Sequence, residues 1–408
     1  MTNKGKSGFE ELAQESKLYP QEALAKVKEN KNVLFIGLPR EIALQENRIA
    51  LTPHAVQLLV NNGNEVWVET GAGNGSKFSD NDYSEAGAKI VYSHKEVFQA
   101  DVILKVEPPS LEEIEYIKPG RILLSALQTG HQTVEYIHAI NDKKLTAIGF
   151  ELIEDKVGGM PVMRAMSEIA GSTVMLIAAE YLSSVNNGRG IILGGITGVP
   201  PTKVVILGAG TVAEYAARTA LGLGVDIEIY DNHIYKLRRI RHALGQQVFT
   251  STIDSQNLQQ SLKTTDVVIG AIRPEKGRNR YLVTEEMVSE MKSDAVIIDV
   301  TIDQGGCIET SEITTHNRPI YRKHGVIHYC VPNIASRVAR TATTAFSNIF
   351  TPILLEASDI GGVHEMIFNR DWFRKGVYSY RGSLTSQMLA RKFNLKHKDL
   401  NLLLAARF

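Results

Sequence analysis

The chain of 408 residues has little cysteine and no excess of charge of either sign. Cys307 and Cys330 are its only cysteines, which excludes a disulfide framework and a cysteine-based zinc cluster and is typical of a reducing compartment. Lysine plus arginine and aspartate plus glutamate both number 45. This balance argues against a nucleic-acid partner, and no cysteine–histidine spacing predicts a metal site.

Long uninterrupted apolar runs are also missing. The longest, such as 174–179 and 204–207, are too short to cross a bilayer. Residues 1–10 are polar and lack the apolar core of a secretion signal. A chain of this length can form two domains with full hydrophobic cores. We therefore predict a soluble, cytoplasmic protein without membrane contact.

The order of predicted elements indicates an α/β protein. After a helical arm over residues 1–32, we predict strands at 32–37, 65–69, 101–106, 121–127 and 145–151 and helices at 53–62, 80–86 and 133–141. This alternation is typical of parallel βαβ units.

A second strand–helix series follows a long helix over 165–184 and a glycine-rich segment, 188–198, which predicts a loop beside a cofactor. Strands are predicted near 203–207, 226–230, 266–270, 295–299 and 326–330, whereas residues after 336 predict helices alone. We expect two Rossmann-like, doubly wound α/β domains separated by a cleft. The domains are residues 33–165 plus 336–408, for the substrate, and residues 166–335, for a nucleotide.

Segment 203–213, KVVILGAGTVA, has the order of strand, glycine turn and helix start that a dinucleotide site requires. Gly208 permits the tight turn, and Gly210 lets the backbone approach a pyrophosphate. Free N–H groups at the helix start, where Thr211 and Val212 lie, favour the phosphates.

An acidic residue completes this pattern. Asp231 ends the next predicted strand, 21 residues beyond Gly210, where a carboxylate accepts hydrogen bonds from the adenosine ribose. Because a carboxylate repels a 2′-phosphate, we predict NAD rather than NADP. Lys236 lies close by, and it either contacts the cofactor and softens this preference or is simply solvated.

Further motifs give a resemblance to a known family. They are GLPREI at 37–42, ENRIALTP at 46–53, TGAGNGS at 70–76, MSEIAG at 166–171, GAGT at 208–211 and DVTIDQGGC at 299–307. With these motifs, the chain resembles the alanine dehydrogenase and proton-translocating transhydrogenase family from about residue 33 to about residue 385. The resemblance implies two Rossmann-like domains, NAD as cofactor and, for alanine dehydrogenases, a homohexamer.

The resemblance also implies roles for four residues. Arg48 matches the arginine that binds the substrate carboxylate, a task suited to a bidentate guanidinium; otherwise it is a surface arginine before a helix. Asp303 matches an aspartate near nicotinamide and substrate, or it is a helix N-cap. Ser167 and Asn333 resemble cofactor or substrate contacts, with a helix cap and a turn residue as the alternatives.

The chain departs from the family at two places. Alanine dehydrogenases carry Lys-Val-Lys-Glu-Pro where this chain has Lys105-Val-Glu-Pro-Pro, so Glu107 replaces the substrate-binding lysine. Residues two apart on a strand share a face, about 6.6 Å apart, so we predict that Lys105 reaches the pocket and acts in catalysis. Glu107 faces the same pocket and pairs with Lys105 or with the substrate ammonium, unless the two form a solvated pair.

At the second place, Gln128 replaces the catalytic histidine of the family. Glutamine donates hydrogen bonds but exchanges no proton at neutral pH. His131 lies three residues on, and its imidazole suits acid/base work. We predict that His131 takes this catalytic role and that Gln128 contacts the substrate, with a helix-capping histidine as the alternative.

The resemblance implies reversible oxidative deamination of L-alanine to pyruvate and ammonia. A transhydrogenase-like NAD(H)-binding subunit is one alternative, because such proteins also keep only the first lysine. A non-enzymatic NAD-binding protein that has lost its base is the other.

Overall fold

The computed structural model describes residues 32–272 and 281–406. The helical arm predicted over 1–32 therefore lies outside the described residues, apart from Asn32. The described strands, in chain order, are β1 Phe35–Leu38, β2 Glu65–Glu69, β3 Lys89–Val91, β4 Val102–Leu104, β5 Ile122–Ser125, β6 Thr146–Gly149, β7 Lys203–Leu207, β8 Asp226–Tyr230, β9 Phe249–Ser251, β10 Val267–Gly270, β11 Val296–Asp299, β12 Ile320–Lys323, β13 Val326–Tyr329, β14 Val377–Tyr380 and β15 Ser383–Leu384.

Fifteen α-helices lie between and after these strands within the described residues. They are α1 Pro53–Asn61, α2 Asp80–Glu85, α3 His94–Val97, α4 Leu111–Tyr116, α5 Val134–Asp142, α6 Pro161–Leu182, α7 Thr211–Gly222, α8 Ile234–Leu244, α9 Ser255–Thr264, α10 Glu285–Ser289, α11 Ala339–Asp359, α12 Val363–Asn369, α13 Asp371–Arg374, α14 Gln387–Phe393 and α15 Leu400–Ala405. Several begin at residues that favour helix starts: Thr52 accepts from the Ala55 backbone before α1, and Ser79 forms a capping box before α2.

The strands form two sheets, one for each predicted domain. The first sheet has the order β15-β14-β6-β5-β4-β1-β2-β3, and the second has the order β12-β13-β11-β10-β7-β8-β9. In each sheet six consecutive strands are parallel, and only β14, β15 and β12 pair antiparallel at an edge. The parallel cores both follow the doubly wound order 3-2-1-4-5-6. The predicted α/β fold class is therefore confirmed.

The strand order also defines where ligands bind. In each sheet the order in which successive strands are added reverses beside the first strand, between β1 and β4 and between β7 and β10. Ligands of such sheets bind beyond the carboxyl ends of the strands at this switch point. The segments that follow β1, β4, β7 and β10 therefore lie where a ligand of each sheet is expected to bind.

The prediction that residues after 336 form helices alone was wrong. β14 pairs antiparallel with β6 and extends the first sheet, and β15 pairs with β14. These strands have four and two residues, and all of β14 is buried, so they have no period-two alternation to reveal them. The short edge strands β3, β9 and β12 were missed for the same reason of length.

Two long helices, α6 and α11, connect the sheets and pack against each other. By length and composition alone α6 could cross a membrane. Its residues Val174, Ile177 and Ala178 are buried in the core of the second sheet, as expected of a core helix. At Gly171 a Cβ atom would lie 2.4 Å from the Val212 carbonyl oxygen, so glycine there lets α6 and α7 cross closely.

The glycine-rich segment 188–198 contains no helix or strand, as predicted, but its predicted place beside the cofactor was wrong. A Cβ at Gly194 would lie 2.3 Å from the Leu223 carbonyl oxygen, and Thr202 donates its backbone N–H to Gly194. Thr202 precedes β7, whereas Gly208 follows it. The loop thus lies at the amino edge of the sheet, opposite the glycine turn.

Candidate active site

A group of polar side chains meets beyond the carboxyl ends of the first sheet, and we call it the Arg48 cluster. Its members are Glu46, Arg48, Glu107, Gln128 and Asn333, which come from the segments after β1, β4, β5 and β13. Asn333 belongs to the chain that leaves the second sheet. The cluster therefore joins the two halves of the molecule.

Arg48 is the centre of this cluster and is 8% exposed. Its Nε donates to Glu46 Oε1 at 2.7 Å, and its Nη2 contacts Glu46 Oε2, so one carboxylate spans one side of the guanidinium. Nη2 also lies 3.4 Å from Glu107 Oε1, and Nη1 lies 3.5 Å from the sulfur of Met166. Burial lowers the pKa of Arg48, but the neighbouring Glu46 and Glu107 outweigh this effect and raise it. The guanidinium stays charged.

Glu107 bridges Arg48 and Gln128. Its Oε2 accepts from the Gln128 side-chain amide, while its Oε1 faces the guanidinium. Burial raises the pKa of Glu107 to about 7; the charge of Arg48 opposes this shift, and the charge of Glu46 adds to it. For Glu46, burial alone would raise the pKa, but the ion pair with Arg48 leaves it lowered. Glu107 is therefore the carboxyl group of the cluster that can change protonation near neutral pH.

Lys105 is held in a buried ion cluster. The residue is 1% exposed, and its Nζ lies 2.9 Å from Glu113 Oε1 and 3.0 Å from Glu41 Oε2. β4 ends at Leu104, so the pleat rule that placed Lys105 and Glu107 on one face does not extend to them. Among the described residues no hydrogen bond joins Lys105 to Glu107. The catalytic role of Lys105 stays a prediction.

Glu41 connects this ion cluster to the Arg48 cluster. Its Oε1 accepts the Val106 backbone N–H at 2.6 Å, and its Oε2 accepts the Glu107 backbone N–H at 3.4 Å. The side chain that pairs with Lys105 thus also holds the backbone that carries Glu107. Sequence reasoning missed Glu41, although it lies within the GLPREI motif.

The turn after β5 presents Gln128 to the cluster. Gln128 has φ 46°, a left-handed conformation that few side chains adopt. Glu151 holds this turn, because one of its oxygens accepts the backbone N–H groups of both Leu127 and Gln128 at 2.8 Å. His131 is exposed in the following turn, before α5. Its catalytic role stays a prediction, and the helix cap at α5 is Thr133 rather than His131.

Asn333 ties the return segment to the arginine segment. Its side-chain amide donates to Glu46 Oε2 at 2.6 Å. Nearby, the Ser336 hydroxyl donates to the Gln45 carbonyl and accepts the Asn47 backbone N–H. His316, which sequence reasoning missed, contacts the Asn333 carbonyl through Nε2 at 2.9 Å. The position of Arg48 therefore depends on the second half of the molecule.

The glycine turn after β7 has the geometry of a dinucleotide site. Gly208 has φ 110°, and a Cβ there would lie 2.6 Å from the Ala271 carbonyl oxygen. At Gly210 a Cβ would meet nothing within 4 Å, so space lies in front of this residue. Gly210 is also the N-cap of α7, where Thr211 and Val212 present backbone N–H groups. These residues fit the pyrophosphate of a dinucleotide.

Asp231 lies next to that turn and is 1% exposed. Its Oδ2 accepts the Ala209 backbone N–H at 2.9 Å, and its Oδ1 accepts the His233 backbone N–H at 2.8 Å. Oδ1 also lies 3.0 Å from His233 Nδ1, whereas Oδ2 accepts only the Ala209 N–H among the described contacts. Because a carboxylate oxygen has two lone pairs, Oδ2 can also accept from a ribose hydroxyl. Lys236 is half-buried in the first turn of α8, and its cofactor contact stays a prediction.

Asp303 lies on the short 3-10 helix Ile302–Gln304 beyond β11 and is exposed. Asp299, which is fully buried, holds this loop because its carboxylate accepts the backbone N–H groups of Thr301 and Cys307. A Cβ at Gly306 would lie 2.7 Å from Asp299 Oδ2, so glycine at position 306 makes room for this carboxylate. Asp299 is the first residue of the DVTIDQGGC motif, and no role is predicted for it from the sequence.

Ser167 lies in the middle of α6, so the helix-cap interpretation is excluded. It precedes the buried part of the helix and follows Met166, whose sulfur contacts Arg48. Both cysteines are free and fully buried, as expected of small core residues. Among the described residues no group of histidine, cysteine and acidic side chains is arranged to hold a metal ion.

Two family models match the chain and together cover most of it. They are the alanine dehydrogenase/PNT N-terminal domain, over residues 37–170, and the alanine dehydrogenase/PNT C-terminal domain, over residues 174–387. Alanine dehydrogenase 2 of Staphylococcus aureus strain USA300 is 39% identical over 366 residues, which are 90% of this chain and 98% of that protein.

Solved structures agree with this assignment. An L-alanine dehydrogenase matches with a TM-score of 0.81 at 34% identity and covers 87% of this chain and 98% of its own. A transhydrogenase from Sinorhizobium meliloti matches with a TM-score of 0.73 at 24% identity over 86% of this chain and 99% of its own, and so shares the fold. The protein, which carries the Arg48 cluster on its first sheet and a Rossmann glycine turn on its second, therefore belongs to the alanine dehydrogenase/PNT family.

Proposed function

We propose that this protein is an NAD-dependent alanine dehydrogenase that interconverts L-alanine with pyruvate and ammonia. The observation that carries the proposal is the buried Arg48, whose Nε side is held by Glu46. On its Nη1–Nη2 edge the contacts are long, 3.5 Å to the Met166 sulfur and 3.4 Å to Glu107 Oε1, so a ligand carboxylate can replace them. A guanidinium edge binds a carboxylate bidentately. The similarity to proteins named alanine dehydrogenase supports the choice of substrate.

NAD fits the residues of the second sheet. Gly208 and Gly210 admit the pyrophosphate, the start of α7 offers N–H donors with Thr211 and Val212, and Asp231 accepts from the ribose. When bound, NAD accepts the hydride that leaves Cα of the amino acid. We propose that Ser167, Lys236 and Asp303 add contacts around the cofactor.

The residues of the first sheet bind and orient the amino acid. Arg48 holds the substrate carboxylate, and Asn333 and Gln128 restrain the two carboxylates that flank the guanidinium. Asp303, on an exposed loop at the carboxyl edge of the second sheet, is the proposed partner of the developing positive charge on the substrate nitrogen. His131 is the proposed imidazole acid/base group for the water that adds to the imine, and it would reach the site by movement of its turn.

For Lys105 we propose a positioning role. Its ammonium group neutralises Glu41 and Glu113 in a nearly water-free environment, and Glu41 in turn holds the Val106 and Glu107 backbones. Without this cation, Glu41 would carry an uncompensated buried charge and would lose its fixed place. The role is indirect, because the described contacts of Nζ are both carboxylates.

The test is NADH formation from each of the twenty amino acids, with pyruvate plus ammonium as the reverse reaction. We expect turnover with L-alanine alone. The replacement of the family lysine and histidine by Glu107 and Gln128 also favours a second candidate, an NAD(H)-binding protein without this activity. NADH binding without turnover on any amino acid would support it, and NADH oxidation only with an added second nucleotide-binding protein would support a transhydrogenase-like subunit.

We also propose a cytoplasmic homohexamer, on the resemblance to alanine dehydrogenases and on the two free, buried cysteines. Light scattering behind a size-exclusion column tests the oligomer directly. A mass of six chains of 45.0 kDa supports it, and a stable monomer contradicts it.

A further inference from the structure

The charge balance of the Arg48 cluster differs from that of a site with a lysine at position 107. One guanidinium, that of Arg48, faces two carboxylates, those of Glu46 and Glu107. Glu46 uses the Nε side of the guanidinium, and Glu107 approaches Nη2. A ligand carboxylate on the Nη1–Nη2 edge must therefore lie beside Glu107.

The position of Glu107 beside the ligand carboxylate should make the site bind an amino acid and a keto acid differently. An amino acid carries an ammonium group next to its carboxylate, and the ammonium can lie against Glu107. A keto acid has no such cation. Its carboxylate and an ionised Glu107 would share one partly buried site, which is unfavourable because two like charges at short range resist joint ionisation.

We propose that Glu107 accepts a proton from the substrate ammonium and keeps it while the keto acid occupies the site. This inference rests on the proposed alanine dehydrogenase function and names the residue that handles the amino-group proton. The carboxylate does so in place of the imidazole that Gln128 has replaced, and Gln128 orients it through the hydrogen bond to Oε2.

The proton step balances without a further reactant. An N–H bond of the ammonium breaks, an O–H bond forms on Glu107, and the electron pair of the broken bond stays on nitrogen. Once Cα has lost its hydride to the coenzyme, the iminium and one water yield the keto acid and ammonium. Glu107 then carries the single proton that the whole reaction releases.

The surroundings of Glu107 permit this exchange. The charged and titratable groups around it are Glu41, Glu46 and Arg48 from the segment after β1, Lys105 and Glu113 behind Glu41, Glu151 under the Gln128 turn, and His316 beside Asn333. Burial raises the pKa of Glu107 to about 7, with Arg48 opposing and Glu46 and Glu41 adding to the shift. Both forms of the carboxyl group are thus accessible under ordinary conditions.

The experiment measures pyruvate binding rather than turnover. Calorimetric titrations of the NADH-loaded protein with pyruvate, without ammonium, are run from pH 6 to pH 9 in two buffers of different ionisation heat. Because the protonated carboxyl binds, affinity is full below its pKa and falls above it. We expect the dissociation constant to rise about tenfold per pH unit above that pKa, with uptake of about one proton per pyruvate.

Glu107→Gln mimics the protonated carboxyl and should bind pyruvate with an affinity that does not change over this range. Glu112→Gln, on the exposed face of α4, is the matched control and should keep the wild-type slope. His131→Ala should also keep the wild-type pH dependence of the pyruvate dissociation constant. A dissociation constant that does not change with pH in His131→Ala would place the proton on the imidazole and overturn the inference.

The outcomes separate the inference from the proposed function. Wild-type binding that is independent of pH, without proton uptake, contradicts the inference but leaves the dehydrogenase proposal intact. Absence of pyruvate binding at every pH contradicts both. The wild-type titration needs no variant, so a Glu107→Gln protein that fails to fold does not remove the test.

Discussion

The Glu46 carboxylate accepts hydrogen bonds from Nε and Nη2 of Arg48, along one side of the guanidinium, although only one residue separates the two in the chain. The same carboxylate accepts the Arg48 backbone N–H at 2.8 Å and the Asn333 side-chain amide at 2.6 Å. The guanidinium is therefore held before any ligand binds, which reduces the entropy that binding must cost.

Arg48→Lys should lose this arrangement. An ammonium group cannot bind a carboxylate bidentately, so we expect pyruvate binding to weaken by about 1.5–3 kcal/mol, the range for hydrogen bonds to charged groups. NADH affinity should change little. Calorimetry with each ligand checks this, and Arg391→Lys, at an exposed position of α14, is the control. An equal loss of affinity for pyruvate and for NADH would indicate a general structural defect instead.

Lys105→Met should lower the free energy of unfolding by more than it changes the free energy of substrate binding. Removing one partner of a buried ion pair costs about 3–5 kcal/mol, and here two carboxylates, Glu41 and Glu113, lose their cation. Urea unfolding measures the loss. Adding Glu113→Gln should recover part of it. A lysine that acts only in the chemical step would abolish turnover at unchanged stability.

The two glycines of the turn should respond differently to alanine. Gly208→Ala places Cβ 2.6 Å from the Ala271 carbonyl at a φ of 110°, so we expect a clear loss of thermal stability. Gly210→Ala meets no neighbour within 4 Å and should fold normally while its methyl group obstructs the pyrophosphate. NADH titration together with thermal unfolding separates the two effects. Unimpaired NADH binding by Gly210→Ala would contradict the placement of the cofactor.

Asp231→Ala should weaken NADH binding by about 1.5–3 kcal/mol, the range for hydrogen bonds to charged groups. The variant also removes the negative charge that opposes a 2′-phosphate, so the preference for NADH over NADPH should narrow. Fluorescence titration with both coenzymes measures this. Asp226→Ala, exposed at the start of β8, should leave both affinities unchanged.

His328 should make the fold sensitive to acid. Burial lowers the pKa of His328 to about 4 from an ordinary value of 6.5, so the unfolded chain takes up its proton first. Above pH 6.5 the ring is neutral in both the folded and the unfolded chain, and the fold has its full stability. As the pH falls from 6.5 toward 4, the free energy of unfolding decreases by about 3 kcal/mol. Urea unfolding should show a flatter pH dependence in His328→Phe than in wild type, whereas exposed His138→Phe should not differ.

Local patterns sufficed for the parts of the site that are continuous in the chain. The run before Gly208 predicted a strand and a tight turn, and both are present, because an apolar run and a glycine act within a few residues of each other. The motif around Arg48 identified the residue at the centre of the polar cluster. The alternation of strands and helices similarly predicted the doubly wound fold class.

Other features depend on contacts that no local pattern encodes. Asn333 reaches Glu46 across 287 positions, and β14 joins β6 from the far end of the chain. β4 ends before Lys105, and two acidic side chains, Glu41 and Glu113, enclose its ammonium group. The two sheets and the glycine turn follow from the order of residues along the chain, since periodicity and backbone sterics act over a few residues. Which charges pair follows from the folded chain alone, because burial and ion pairing depend on distances between segments that are remote in the sequence.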